Sequence, residues 1–507
     1  MKGFPTFYFP LIIGVLFCVN KIVAQHRSDV WCFGHWAAIN FSGPVPVPDT
    51  SALITRGSCA SICSASGQLL FYIANDSSTL LWDRGVIYNS NHTLMMNGDS
   101  IAGKAWYQEH AIIPDPADSN LYYTFNSCPT PVYGFYYSKI NMTLNGGLGA
   151  VVQKNVQLQS FRTADCITAI KHGNGRDWWV LFRKNSSPST NEIYEYLITP
   201  NGISNTIILT AGSVSTAGFA KFCVSNQGDK IGLVNAAGLI EVYYFNRCNG
   251  LIDSVRTLEP ELPSPPYPWY WECEFSPNSN LLYVTTSDSS CLLLQYNLSD
   301  SNPSLTRDTL QFTNYPIATL GAVRLAPDNR IYVANAYYNT VTSNYPYPDT
   351  MYNVYNTYLS VINHPDSVGT ACDYQPYSFY LGGKRCYKGL PNNPDYDLGP
   401  LTGSICDTLT TGIAPQPQTA GVATLQTTYI HTWQKLFVNA QQVKGKNALL
   451  MLYDIQGKEV YRLRKGHASG AGGYYTQDVD ISSLSNGLYI VTLVTDKEVL
   501  SARFVKN

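Results

Sequence analysis

Six stretches of this chain repeat one pattern: an apolar strand, a tight polar turn carrying Gly, Asn or Asp, and a second strand rich in Tyr, Leu and Val. They read SICSASGQLLFYI, IIPDPADSNLYYTF, AIKHGNGRDWWVLF, FCVSNQGDKIGLVN, CEFSPNSNLLYVTT and VRLAPDNRIYVANA. Their turn residues Gly67, Ser119, Gly175, Gly228, Ser279 and Asn329 recur roughly every 50 to 56 positions, the period of propeller blades and other arrays. Each hairpin has the length of the first two strands of a blade.

Further strands follow at the right distance. EIYEYLIT, LIEVYYFN, CLLLQYNL and TYLSVINH supply outer strands, usually followed by polar residues where the chain crosses to the next blade. A four-stranded sheet repeated around an axis buries both faces against its neighbours and leaves only short edges. The pattern therefore predicts an all-β chain built on a β-propeller. WCFGHWAAINFSG adds a strand pair outside the six, which completes a seventh blade or closes the ring against the last one. A pair of β-sandwiches would not require so regular a period. Composition agrees: 37 Tyr and 38 Gly accompany only 13% charged residues, a balance that favours strands and turns over helices.

At 507 residues the chain exceeds one core. MKGFPTFYFPLIIGVLFCVNKIVAQ reads as a secretory signal, with Lys2 before an apolar run and Ala24 before the cut, so residues 1–24 leave and 25–400 form the propeller. The run is too short to span a bilayer well, and no later stretch is long enough, so no transmembrane segment is expected after cleavage. An uncleaved anchor is the alternative. Of thirteen cysteines Cys18 lies in the signal, leaving an even twelve that permit disulfides of unspecified connectivity. Cys59 and Cys63 lack a CxxC or histidine partner, so they read as small hydrophobes or a local disulfide, not zinc ligands.

Residues 401–428, rich in Pro, Gly, Thr and Gln, read as a linker. Residues 429–507 then predict a small Ig-like β-sandwich, with a turn at Asp454, Gly457 and Lys458 and another at Asn486-Gly487. LYDIQGKEV, the spacing to LSNGLYIVTL and the basic ending ARFVKN resemble the type A sorting domain of the type IX secretion system. The usual YPNP-like opening is missing, and HTWQKLFVNAQQ stands in its place. The resemblance implies export across the outer membrane, release or attachment at the cell surface, and the secretion translocon as a partner. An ordinary accessory module is the bland alternative. CASICSASGQLLFY, ECEFSPNSNLLYV, LGAVRLAPDNRIYVAN and YKGLPN likewise resemble exported WD40-like propellers of Bacteroidota, a likeness that carries over no catalytic residue.

Chemistry is sparse in the sequence. There is no nucleophile elbow, HExxH, phosphate loop or dinucleotide fingerprint, and the histidines are scattered, so no catalytic residue, metal or cofactor is expected. A net charge of -2 without a basic stripe argues against nucleic acid. Superposing CEFSPN on VRLAPD sets Glu274 opposite Arg324 on neighbouring innermost strands, with Cys223 equivalent one blade earlier and Lys221 two residues before it. Lys221, Glu272, Glu274 and Arg324 are therefore channel-lining candidates, either as an inter-blade ion pair or around a ligand. Trp269, Tyr270, Trp271, Tyr337, Tyr338, Tyr345 and Tyr347 fall in aromatic, Pro-rich loops on the other rim from the hairpin turns, and suit binding of a glycan, peptide or surface protein. Packing of those rings onto the rim is the competing reading. A hydrolase or lactonase-like enzyme would need Glu272 and Glu274, with His110 as a further candidate, to converge. A structural component of the cell surface or gliding apparatus is a third reading.

Overall fold

The computed structural model describes residues 26–507 except 76–83, 104–106, 130–133, 186–188, 216, 289, 314–316, 338–351, 408–423, 431–433, 442, 445–447, 455–456, 466–474 and 507. The signal segment thus lies outside the described residues. Two compact units divide at Leu398/Gly399, with His172–Arg176 grouped with the second. No described helix is long and apolar enough to cross a membrane.

The first unit is a seven-bladed propeller. Six innermost strands, Cys59–Cys63, His110–Pro114, Thr163–Lys171, Ala220–Val224, Tyr270–Phe275 and Ala318–Leu325, each open a sheet whose strands follow in chain order. Each pairs antiparallel with its successor through the hairpin predicted for it, as in Phe222 opposite Leu233. These innermost strands are buried on both faces, which is why they read as apolar runs more than as alternations. Trp31, Val30–Phe33 and their hairpin belong to a further sheet that packs on the last blade, where Trp31 and Phe41 meet Tyr332 edge-on at 6.0 and 5.6 Å. WCFGHWAAINFSG therefore completes a seventh blade, which is the first in chain order.

That blade runs backwards at its inner edge. Cys63 N donates to Arg27 O at 2.9 Å while Thr55 N donates to Gly34 O at 2.9 Å, so Val30–Phe33 lies antiparallel to Cys59–Cys63. The blade has three strands, and its direction marks the missing one as the innermost. Residues 385–398 take that place. They descend the central channel as irregular chain, from Arg385 O, which accepts from His35 N at 2.8 Å, past Lys388, which bonds Arg56 and Ala322 through its backbone. Asn392 is the hub. Its Nδ2 donates to His110 O and Ile167 O at 3.0 and 3.1 Å, its Oδ1 accepts from Gln108 Nε2 and Arg324, and its backbone N donates to Cys59 O. Gly389 passes so close that a Cβ would stand 2.0 Å from Gly57 O, so only glycine fits. At the far end Lys171 Nζ donates to Tyr396 O at 2.6 Å.

The second unit is a two-sheet sandwich. Thr424–Ile430, Lys435–Gln441 and Tyr475–Asp480 form one sheet, and Glu459–Lys465, Ala448–Asp454, Gly487–Val494 and Val499–Lys506 the other, around Leu436, Val438, Leu450, Leu452, Val491 and Phe504. Its first strand begins inside the stretch expected as linker. TLQTTYI alternates Leu425, Thr427 and Tyr429 on one side, a strand signal hidden by the surrounding Thr and Gln. HTWQKLFVNAQQ contributes the strand Lys435–Gln441 in place of the usual opening.

Ten cysteines stand as buried free thiols, Cys59 and Cys63 among them, so those two form no local disulfide in this structure.

Candidate functional site

The innermost strands carry their polar side chains to the axis, and the charges anticipated there meet. Glu272 is the centre: its Oε2 accepts from Lys221 Nζ at 2.8 Å, and its Oε1 lies 2.6 Å from Arg324 NH2. Glu274, the expected partner of Arg324, stands 3.8 Å away and instead accepts from Phe275 N and Leu325 N. The chain of charge thus spans three blades. Strand alternation explains the result, since Glu272 and Glu274 share one face and Glu272 is flanked by a cation on each side. All four side chains are nearly sealed, at 1%, 1%, 8% and 10% exposure for Lys221, Glu272, Glu274 and Arg324. Lys388–Asn393 occupies the channel beside them, so Lys221 and Glu272 face packed chain, while Glu274 and Arg324 reach the wall of a cleft at its end.

Burial pushes the Glu274 carboxyl up to about 7, with Arg324 opposing the shift. A carboxyl raised from 4.5 in the folded state lends stability that is complete below about pH 4.5 and is lost as pH climbs through about 7, by up to about 3 kcal/mol. Glu274→Gln removes this linkage. Denaturant unfolding between pH 4.5 and 8 should show a flatter stability curve for the variant, and parallel curves would contradict the assignment.

On the crossing rim, where blades connect, Trp271 packs against Tyr107 and Phe219 at 4.4 and 4.9 Å, and Trp269 caps Phe219 at 5.8 Å. Lys388 Nζ sits 4.0 Å over the Trp271 ring, and Lys221 5.3 Å from it. Here the expected aromatic surface needs correction. Trp269 is 42% exposed, but Tyr270 and Trp271 are buried at 1% and 2%, because the strand begins at Tyr270 and is covered on both of its faces. Tyr337 is half-buried and stacks on Tyr355; Tyr338, Tyr345 and Tyr347 lie outside the described residues. His110 is sealed between Asn75 Oδ1 and Asn126 Oδ1 at 2.9 and 2.8 Å, and burial pushes its pKa down to about 4. A neutral ring donates from only one nitrogen, so one of the two amides has to turn its NH2 toward the other.

The opposite rim holds a cleft that sequence reading missed. About 250 Å³ opens beside the channel segment, between Asp29 and Trp31 of the first blade, Asn226 of the fifth, Glu274 of the sixth, Arg324 and Asn329 of the seventh, and Asn393, Asp395 and Asp397 of the segment itself. Amide and carboxylate oxygens thus converge from four blades, with Pro327, Pro391 and Pro394 fixing the walls. Burial raises the carboxyls of Asp29 and Asp395 as well. The one available signal was PNNPDYDL, rich in Asn, Asp and Pro directly after the last blade. Among the described residues, no group of three or more His, Cys, Asp or Glu is disposed to hold a metal.

In the terminal unit the DIQGK turn is closed by Gly457 N to Asp454 O at 3.0 Å and Lys458 N to Asp454 Oδ1 at 2.9 Å, with Gly457 at φ +79. Lys506 Nζ donates to Ile481 O, Ser482 O and Leu484 O, binding the last strand to the loop before Asn486-Gly487.

Residues 433–507 match the family model of the secretion system C-terminal sorting domain. Comparison with curated protein sequences finds no match. Among solved structures, the Pseudomonas aeruginosa periplasmic gluconolactonase PpgL is similar at 11% identity and TM-score 0.42, covering 71% of this chain and 98% of that one. Kluyveromyces lactis Hsv2 follows at 9% and 0.37, covering 61% and 87%. The Myceliophteria thermophila Cps50 (Swd1) β-propeller domain stands at 9% and 0.34, covering 62% and 94%. The terminal domain marks the chain for type IX export, to the cell surface or the medium.

Proposed function

We propose that the exported propeller is a binding or adhesion module, and that it takes a polar extracellular ligand, a glycan or a peptide, in the cleft on its turn rim. The observation that carries this reading is the convergence of Asn226, Asn329 and Asn393 with Asp29, Asp395 and Asp397 in one preformed concavity. Amide and carboxylate oxygens held on a rigid ring offer hydroxyl and amino groups directed hydrogen bonds at little ordering cost. The secretion translocon is its partner in transit, through the terminal domain. A second reading rests on Trp269, whose exposed ring is braced by Phe219 and Trp271 and so is preorganised for stacking.

Glycan and peptide arrays on the purified full chain test both. Asn226→Ala combined with Asp29→Asn should weaken the best ligand about tenfold or more, the equivalent of losing one or two directed hydrogen bonds. Trp269→Ala should leave it unchanged. The reverse outcome moves the site to the crossing rim, and absence of any ligand on either array counts against a binding module.

A further inference from the structure

We propose that Cys223 and Cys273 are joined by a disulfide in the exported protein, clamping the fifth blade to the sixth at the channel wall. Their sulphurs lie 3.0 Å apart, closer than two thiols rest in ordinary contact, on innermost strands of adjacent blades. Both are almost wholly buried, so the contact is built by the packing of the blades. The sheet makes room for it at Gly232, which pairs with Cys223; a Cβ there would come within 2.6 Å of one sulphur and 3.1 Å of the other. Closing the bond to about 2.05 Å needs only a small approach of the two side chains.

The terminal sorting domain routes this chain through compartments where disulfides persist. The oxidant is the disulfide of a periplasmic thiol–disulfide oxidoreductase. One cysteine, as thiolate, attacks that disulfide and expels a thiolate; the second then attacks the mixed disulfide and expels the other. The S–S bond of the donor breaks, that between Cys223 and Cys273 forms, and two electrons and two protons pass to the donor's thiols. Burial raises the Cys223 thiol well above its ordinary value, so exchange has to occur before the two blades close.

The test uses the full chain recovered from the medium or cell surface of an exporting host, quenched in acid, then unfolded and alkylated with iodoacetamide without reductant. Peptide mapping should find the peptides of Cys223 and Cys273 joined, with about 2 Da less than their summed mass. Cys223→Ser should free Cys273 for alkylation, and the same chain made in a reducing cytosol should carry both alkyl groups. A reductant added under partly unfolding conditions should lower the melting temperature of the exported form by about 5 °C beyond any shift it causes in Cys223→Ser/Cys273→Ser, as expected for a loop of about 50 residues in a propeller of this size. Full alkylation of both cysteines in the exported protein would overturn the proposal.

Discussion

Glu272→Gln should lower the unfolding free energy of the propeller by about 4 kcal/mol at pH 7, a loss set by stranded charge. Glutamine keeps the shape of the side chain but removes the one carboxylate that touches both Lys221 and Arg324. Lys221 is then left with aromatic faces and the attraction of the buried Asp165 carboxyl, and Arg324 with Asn392 and a carboxylate 3.8 Å away. Breaking a buried pair from one side is costly because the other side cannot return to water, whereas replacing all partners together is often neutral. The triple change Lys221→Met/Glu272→Met/Arg324→Met should therefore recover most of the loss. Tryptophan fluorescence during guanidinium unfolding reports on this unit, since Trp433 alone lies beyond residue 398. A single-variant loss below about 1 kcal/mol would place the triad in the class of ion pairs that contribute little.

Deleting residues 433–507 should abolish appearance at the surface and in the medium, and leave the chain in the periplasm. The deletion removes all but one strand of the sandwich and most of its core. Within that sandwich the last strand is held by Lys506, buried and shared among three carbonyls of the preceding loop. Lys506→Met leaves those carbonyls without the donor, costs about 2 kcal/mol, and should reduce export in step with the unfolded fraction. Protease resistance of the retained propeller separates failed sorting from failed folding. Normal secretion of the truncated chain would contradict the role of this domain.

The blades were legible because a hairpin is a local object: strand, turn and strand lie within about fifteen residues, and turn chemistry sets the register. Gly67, Gly175 and Gly228 all adopt positive φ at the predicted turns, as do Ser279 and Asn329. What remained illegible depends on partners far away in sequence. Nothing local to VWCF says that it runs against its neighbours, and nothing in KGLPNNPDYDL says that it fills a channel, since Asn392 finds its partners in four separate places along the chain. The same limit governed the site. Alignment of blades set Glu274 opposite Arg324, but only the fold shows Glu272 between two cations, Trp271 buried and a cleft on the turn rim.

The channel segment also imposes an order in time. The second, third, fourth and seventh blades touch Asn392 or its neighbours, so their final packing waits for a stretch that is among the last of the propeller to be synthesised. Contacts of such sequence separation form late, and until then the inner edge of the first blade is open to water and to other chains. Because the sorting domain is synthesised later still, a molecule that presents its address already has the means to have closed its ring. Chain order alone thus favours the delivery of finished propellers over half-built ones.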